Sequence, residues 1–293
     1  MDIKFVTAIY SKLHGTKFNG SADAIFERYR QSLRSIAKGG YEIICYTSDI
    51  HFEELTEFYK EYPNIKVVQE SLTDFYFHDQ INKIKELKPN YNTDTSWYTR
   101  CVEIMWGKFY WLLRHAGMLE ENDHIFWIDA GIFHSGLIHG KWKSDKSDNF
   151  FDFDRITQER NLYEDLSNHA GDKILNIISK QVNHGSDDYI SLLGTEFPRP
   201  QYGIIGGIFG GRRDLILDYA SKAIELMQKT IDANLLLKEE EIMHYLHFQN
   251  PEEFSTFTFG TWYHEDWDAA YRRGESVSFS DYFTFLRTLN NSK

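Results

Sequence analysis

HIFWIDAG, residues 124–131, is the stretch on which the reading of this chain turns. Four apolar residues, Ile125 to Ile128, run without alternation into a single carboxylate, Asp129, and two very small residues, Ala130 and Gly131, follow it. A strand that is hydrophobic on both faces belongs at the centre of a parallel sheet. Ligands of such sheets sit beyond the carboxyl ends of the strands, which is where Asp129 falls. Two readings of that acid are open. It can cap the next turn. It can also be a hard oxygen ligand for Mg²⁺ or Mn²⁺, whose remaining positions are often filled by substrate phosphates. Ala130 and Gly131 would then let a bulky ligand approach the backbone.

Outward from this strand, the pattern is strand–helix–strand–helix. IKFVTAIY (3–10) is β-branched and aromatic, and reads as a buried first strand. SKLHGTKFNGS is a loop, and the helix after it carries Ile25, Phe26, Tyr29, Leu33, Ile36 and Ala37 on one face. YEIICYTSD (41–49) is a second strand running into a loop, 51–60 a short acidic helix, and Asn64 to Val68 a third strand. The longest apolar-periodic helix is 97–117, with Val102, Met105, Phe109, Leu112 and Leu113 on one side. The range 142–200 is more polar and reads as a variable insertion containing a helix near 171–182. A glycine-rich strand and turn, YGIIGGIFGG (202–211), precedes helices at about 214–230 and 238–247, and FSTFTFGTWYHED (254–266) ends the pattern as a strand and tail. The expectation is an α/β fold with a mostly parallel, doubly wound sheet.

Bulk composition limits the function classes. The chain has 293 residues, 42% hydrophobic and 16% aromatic, enough for a large core. It lacks an apolar run of roughly 18 residues, so no transmembrane segment is expected. The opening MDIKFVTAIY has no basic stretch leading into a long apolar one, so a cytoplasmic protein is expected. Cys45 and Cys101 lie in apolar segments without metal or redox spacing and read as reduced, buried thiols. A net charge of −12 argues against tight nonspecific binding to a polyanion, while leaving room for one basic cleft. Nothing in the sequence sets an oligomeric state.

The other candidate site residues follow from the strand-end rule. Thr7, Ala8 and Tyr10 end the first strand and Thr47 the second; such residues can surround a base and ribose, or be ordinary loop chemistry. Neither GxGxxG nor GxxxxGK[ST] is present, so a Rossmann dinucleotide site and a P-loop are not expected. Arg100 and Lys108, two turns apart on the long helix, are either solvated positions or the cations that offset a diphosphate. Gly206 and Gly207, with Gly210 and Gly211, suggest close backbone approach to a ligand, with Arg212 and Arg213 adding charge at that edge. Glu239, Glu240 and Glu241 open a helix, which is favourable placement on its dipole. One of them beside a sugar hydroxyl could also be a general base. His264, next to Glu265 and Asp266, is either part of a surface charge cluster or an imidazole ligand to a metal.

Taken in order, FVTAIY, YRQSL, IICYTS, WYTR…WGKFYWL, FWIDAG, GGIFGG, the EEE helix and the final HED resemble the GT-A glycosyltransferases. More narrowly, the chain resembles the HtrL/YibB (WlaTC) group of bacterial glycosyltransferases, over about residues 5–266. The resemblance implies a GT-A fold with a Rossmann-like central sheet flanked by helices. It implies one catalytic domain over 1–293: a nucleotide-binding half at about 1–130 and an acceptor-side half at about 131–293. It further implies a nucleotide-sugar donor, Mn²⁺ or Mg²⁺, and a saccharide acceptor belonging to a surface glycan or lipopolysaccharide. By position, Asp129 and His264 would be the metal ligands. Thr7, Ala8, Tyr10 and Thr47 would surround the nucleotide, and Arg100 and Lys108 the diphosphate. Ala130 and Gly131 would leave room for the donor, Gly206 and Gly207 would line the sugar and acceptor side, and Glu239 to Glu241 would supply a catalytic or sugar-binding acid. Gly131 stands where the family's D-x-D motif has its second acid. Three alternatives remain: a nucleic-acid acceptor such as a hydroxymethylated base in phage-type DNA, a nucleotidyltransferase, and a non-catalytic sugar-binding protein.

Overall fold

A computed structural model describes residues 3–10, 22–37, 40–89, 96–130, 170–179 and 203–258. In chain order its regular elements are β1 (Ile3–Ile9), α1 (Ala22–Ala37), β2 (Glu42–Thr47), α2 (Asp49–Phe58), β3 (Ile65–Gln69), α3 (Ile81–Glu86) and β4 (Lys88–Pro89). They continue with α4 (Ser96–Ala116), β5 (His124–Ile128), β6 (Ile174–Ser179), β7 (Gly203–Arg212), α5 (Arg213–Asp232), β8 (Leu235–Leu236), α6 (Glu239–Gln249) and β9 (Phe254–Thr258). Seven strands make one sheet in the order β3-β2-β1-β5-β7-β6-β9. All neighbours pair in parallel except β7, which runs antiparallel to β5 and to β6. The α/β class and the mostly parallel sheet flanked by helices are as the sequence led one to expect.

Two hydrophobic cores lie on the two faces of this sheet, and strand alternation decides which residue joins which. Ile125 and Trp127 of β5 join the core with α4, α5 and α6, while Phe126 and Ile128 join the core with α1. Helix α1 meets the sheet through Phe26, Tyr29, Leu33, Ile36 and Ala37, the helical spacing that its sequence carries. Helix α4 is buried far beyond one stripe. Val102, Met105, Phe109 and Leu112 are covered, but so are Trp106 and Trp111, and the Trp106 indole donates to Leu237 O at 2.9 Å. Cys45 and Cys101 are buried thiols, as expected. No helix among the described residues is long and apolar enough to cross a membrane.

Two expectations need correction. The helix placed near 171–182 is instead strand β6, ILNIIS, held between β7 and β9. Its short apolar run is dominated by β-branched isoleucine, which suits a strand covered on both faces, and it is too short for a stable helix. This strand of the central sheet therefore falls within 142–200, the range expected to be an insertion. The glycine-rich strand and turn is one continuous ten-residue strand, β7. Gly210 and Gly211 serve the sheet itself: a Cβ at Gly210 would stand 2.3 Å from Ile125 O, and one at Gly211 2.8 Å from Lys173 O. The close backbone approach there is made by neighbouring strands.

Candidate functional site

The chain leaves β1 outward to β2 and β3, then returns to place β5 on the other side of β1. The gap between the carboxyl ends of β1 and β5 is thus the sheet's switch point, where open α/β sheets take their ligands. Tyr10 follows β1 and Asp129 follows β5. Alternation puts Trp127 and Asp129 on the same face of β5, the α4 face, together with Ala8 and Tyr10 of the first strand. Thr7 and Thr47 fall on the α1 face. The proposed nucleotide set is therefore divided between the two faces of the sheet.

Lys108 is the centre of the cluster. It comes from α4, is only 3% exposed, and reaches the end of β5 beneath Asp129. Its Nζ donates to Gly206 O at 3.0 Å, and lies 3.2 Å from Asp129 Oδ1 and 3.4 Å from Glu239 Oε1. It also lies 5.4 Å from the centre of the Trp127 ring. Burial pushes the pKa of this ammonium down, but Asp129, Glu239 and Glu240 outweigh it and hold Lys108 above the ordinary lysine value. The reading of Lys108 as a solvated helix position is thereby overturned: its helix is covered on that side too.

Asp129 is fixed from both directions. Its Oδ1 accepts from Trp127 Nε1 at 2.7 Å, and its backbone N–H donates to Gly207 O at 2.8 Å. The side chain is 36% exposed, and its hydrogen bond to Trp127 and its ion pair with Lys108 both fall on Oδ1. On α6, Glu239 is buried and faces Lys108, whereas Glu240 is half-buried and its Oε1 accepts from Gly206 N at 3.2 Å. Glu241 turns back on its own helix, its Oε2 accepting from Lys238 N at 2.7 Å. Gly206 sits under these acids: a Cβ there would lie 3.3 Å from Glu239 Cγ and 3.4 Å from Glu240 Cγ.

A wall of stacked rings adjoins the cluster. Trp111 stacks on Tyr46, Tyr10 and Trp127 with centroids 4.9, 6.0 and 5.9 Å apart. Its indole donates to Glu70 Oε1 at 2.7 Å, and Glu70 also pairs with Arg114. Tyr10 uses its hydroxyl on Glu70 O at 3.0 Å, so that phenol is committed within the protein. Burial, with Glu70 next in effect, holds the Tyr10 phenol protonated, far above the usual tyrosine range. Thr47 donates to Ile9 O at 2.8 Å, and Thr7 is fully buried, its hydroxyl without a partner among the described residues.

Of the sequence-derived set, Asp129, Lys108, Gly206, Gly207, Glu239 and Glu240 come together. Ala130 is buried beside them in chain, on the α1 face. Arg100 lies in α4, but its side chain falls outside the described part, as do Gly131 and His264 altogether. The helix between Arg100 and Lys108 is interrupted at Cys101, whose φ and ψ are −128° and 18°. Arg212 and Arg213 are at the opposite end of the sheet, because antiparallel β7 brings Arg212 level with His124 at the start of β5. There Arg212 pairs with Asp172 and Asp214, and Arg213 donates to Ala116 O. They add no charge at the cluster. Glu70, Trp111 and Trp127 were missed. Glu70 was within reach of the strand-end rule, since it directly follows β3.

The GT-A resemblance implies a divalent ion, and the donor set can be tested for it. No group of three His, Cys, Asp or Glu side chains able to hold a metal exists among the described residues. Asp129 Oδ1 is taken by Lys108 and Trp127, which leaves Oδ2 as a single hard oxygen donor. Asp129, Glu239 and Glu240 nevertheless gather three carboxylates around Lys108, and carboxylate oxygens are the donors that hard cations take. One carboxylate oxygen fits an ion that is carried largely by the phosphates of a substrate, as Mg²⁺ commonly is.

Comparison with known proteins gives limited likeness. No protein-family model matches the chain. No curated protein matches it either. Among solved structures, it is similar to the apo form of mouse xyloside xylosyltransferase 1, at 14% identity and a TM-score of 0.45, over 97% of this chain and 92% of that one. It is also similar to 4-diphosphocytidyl-2C-methyl-D-erythritol synthase from Anaerococcus prevotii, at 11% identity and a TM-score of 0.43, over 88% of each chain.

Proposed function

We propose that this protein is a nucleotide-sugar-dependent glycosyltransferase of GT-A type, acting as one catalytic domain. The observation that carries the reading is Asp129, half-exposed at the β1/β5 switch point and tethered to Lys108, with the acids of α6 beside it. The order of the motifs from FVTAIY to the EEE helix supports the same class and, more narrowly, the HtrL/YibB group. A donor lying in this crevice would have its nucleotide toward Ala8 and Tyr10 and its sugar toward Gly206 and Gly207. The cytoplasm, where a nucleotide-sugar would meet it, is the location we propose.

In the reaction, the bond from the anomeric carbon to the donor phosphate breaks and a bond to the acceptor oxygen forms. A nucleoside diphosphate leaves, and the acceptor hydroxyl gives up a proton. Asp129, with His264 as the sequence resemblance implies, would hold a Mg²⁺ or Mn²⁺ ion bound with the donor, whose charge would offset that developing on the leaving diphosphate. Trp127 fixes the rotamer of Asp129. Glu240, the most exposed of the three acids opening α6, is our choice for the base that takes the acceptor proton. A saccharide of a surface glycan or lipopolysaccharide is the proposed acceptor.

The test is product analysis with a panel of UDP-, GDP- and CMP-sugars and saccharide acceptors. Release of nucleoside diphosphate or monophosphate with sugar transfer, lost in Asp129→Asn, is the expected result. Pyrophosphate as the product would assign a nucleotidyltransferase instead. Transfer to hydroxymethylated DNA alone would move the acceptor to nucleic acid.

A further inference from the structure

We propose that Lys108 is the built-in counter-ion of this site, a positioning residue that holds Asp129 and Glu239 together, and not a ligand of the donor phosphates. The inference specifies the role of one residue within the transferase reading above. An ammonium has three N–H groups. Here three acceptors surround it: Gly206 O at 3.0 Å, Asp129 Oδ1 at 3.2 Å and Glu239 Oε1 at 3.4 Å. No donor remains for a phosphate, and the side chain is 96% covered. The three acceptors come from the end of β5, the strand β7 and the first turn of α6, while the lysine comes from α4. One charge thus joins four elements at the point where the two halves of the chain meet.

Removal of that charge has a specific consequence. The buried Glu239 would then face the half-exposed Asp129 across a position with no ammonium in it, which is destabilising for a buried acid. The same two carboxylates and the Gly206 carbonyl are oxygen donors of the kind that divalent ions take. A lysine that merely bound phosphate would leave no such vacancy. Loss of Lys108 should therefore raise affinity for a divalent ion, whereas loss of a phosphate ligand should only weaken nucleotide binding.

The experiment uses the full chain as wild type, Lys108→Met, Glu239→Gln and the double variant, with thermal unfolding followed at neutral pH across a MnCl₂ titration. Lys108→Met should melt lower than wild type, and adding Glu239→Gln should restore part of the loss, although Glu239→Gln alone destabilises. Mn²⁺ should stabilise Lys108→Met at concentrations at least ~10-fold lower than it stabilises wild type. Additive losses in the double variant, with an unchanged Mn²⁺ response, would overturn the proposal. Should Lys108→Met not fold, the double variant decides: folded supports the proposal and unfolded overturns it. Neither readout contains a nucleotide, so a wild type that bound none would refute the transferase reading without touching this result.

Discussion

Trp127 and Asp129, two positions apart at the end of β5, are joined by a 2.7 Å hydrogen bond from the indole Nε1 to the carboxylate Oδ1. The bond exists because strand alternation returns every second side chain to the same face, and it fixes the acid at the switch point before any ligand arrives. A preset carboxylate loses less freedom on binding than a mobile one.

The role of the indole is separable from that of the acid. Trp127→Phe keeps a ring against Trp111 and Lys108 but removes the donor. Turnover should fall about 10-fold, from loss of one hydrogen bond to a charged group, with the stability loss confined to about 1–3 kcal/mol. Steady-state kinetics beside denaturant unfolding of the same variant checks both values. Unchanged turnover would mean that the orientation of Asp129 does not depend on Trp127.

Two glycines of β7 should respond differently to alanine. At Gly210 the new Cβ would meet the Ile125 carbonyl at 2.3 Å, and backbone cannot yield. Gly210→Ala should lose about 3 kcal/mol of stability or fail to fold. At Gly206 the nearest atoms are side-chain atoms of Glu239 and Glu240, at 3.3 Å and beyond. Gly206→Ala should fold, with its activity reduced through displacement of those acids. Circular dichroism and kinetics on the pair distinguish the two outcomes.

Acid should weaken the fold before its carboxylates titrate. Burial, and for His115 the nearby Arg114 charge, pushes the pKa of His115 down to about 4; burial, with His247 beside it, does the same to His244. The unfolded chain takes up protons on these rings near pH 6.5 while the folded chain does not. Their contribution is complete above about pH 6.5 and falls away as pH drops toward 4, by on the order of 1 kcal/mol per ring at pH 5. His115→Gln, which can still meet the Tyr46 hydroxyl, should flatten the slope of stability against pH over this window. An unaltered slope would exclude His115 from it.

The sequence carried the sheet and its site to different extents. HIFWID announced its own position, because only a central strand is apolar on both faces, and the strand-end rule then isolated Asp129. The helical spacing of Phe26, Tyr29, Leu33 and Ile36 likewise matched the face that is buried. ILNIIS did not, since a short apolar run has the same appearance in helix and strand until its neighbours are known. The direction of β7 was equally hidden. Reversal of that one strand takes Arg212 and Arg213 to the far end of the sheet and brings Gly206 and Gly207 to the site. The environment of Lys108 was also out of reach, because it is assembled from three elements distant in sequence. A periodic helix with one lysine reads as solvated until its second face is seen to be covered.

The role of Asp129 in holding a donor is tested most directly by calorimetric titration of the wild-type chain and Asp129→Asn with UDP, GDP and CMP, each with and without Mn²⁺. One of these nucleotides should bind wild type saturably, more tightly with Mn²⁺, and the Mn²⁺ effect should be lost in Asp129→Asn. Absence of binding by all three nucleotides in both conditions, or a Mn²⁺ effect that survives in Asp129→Asn, would contradict that role.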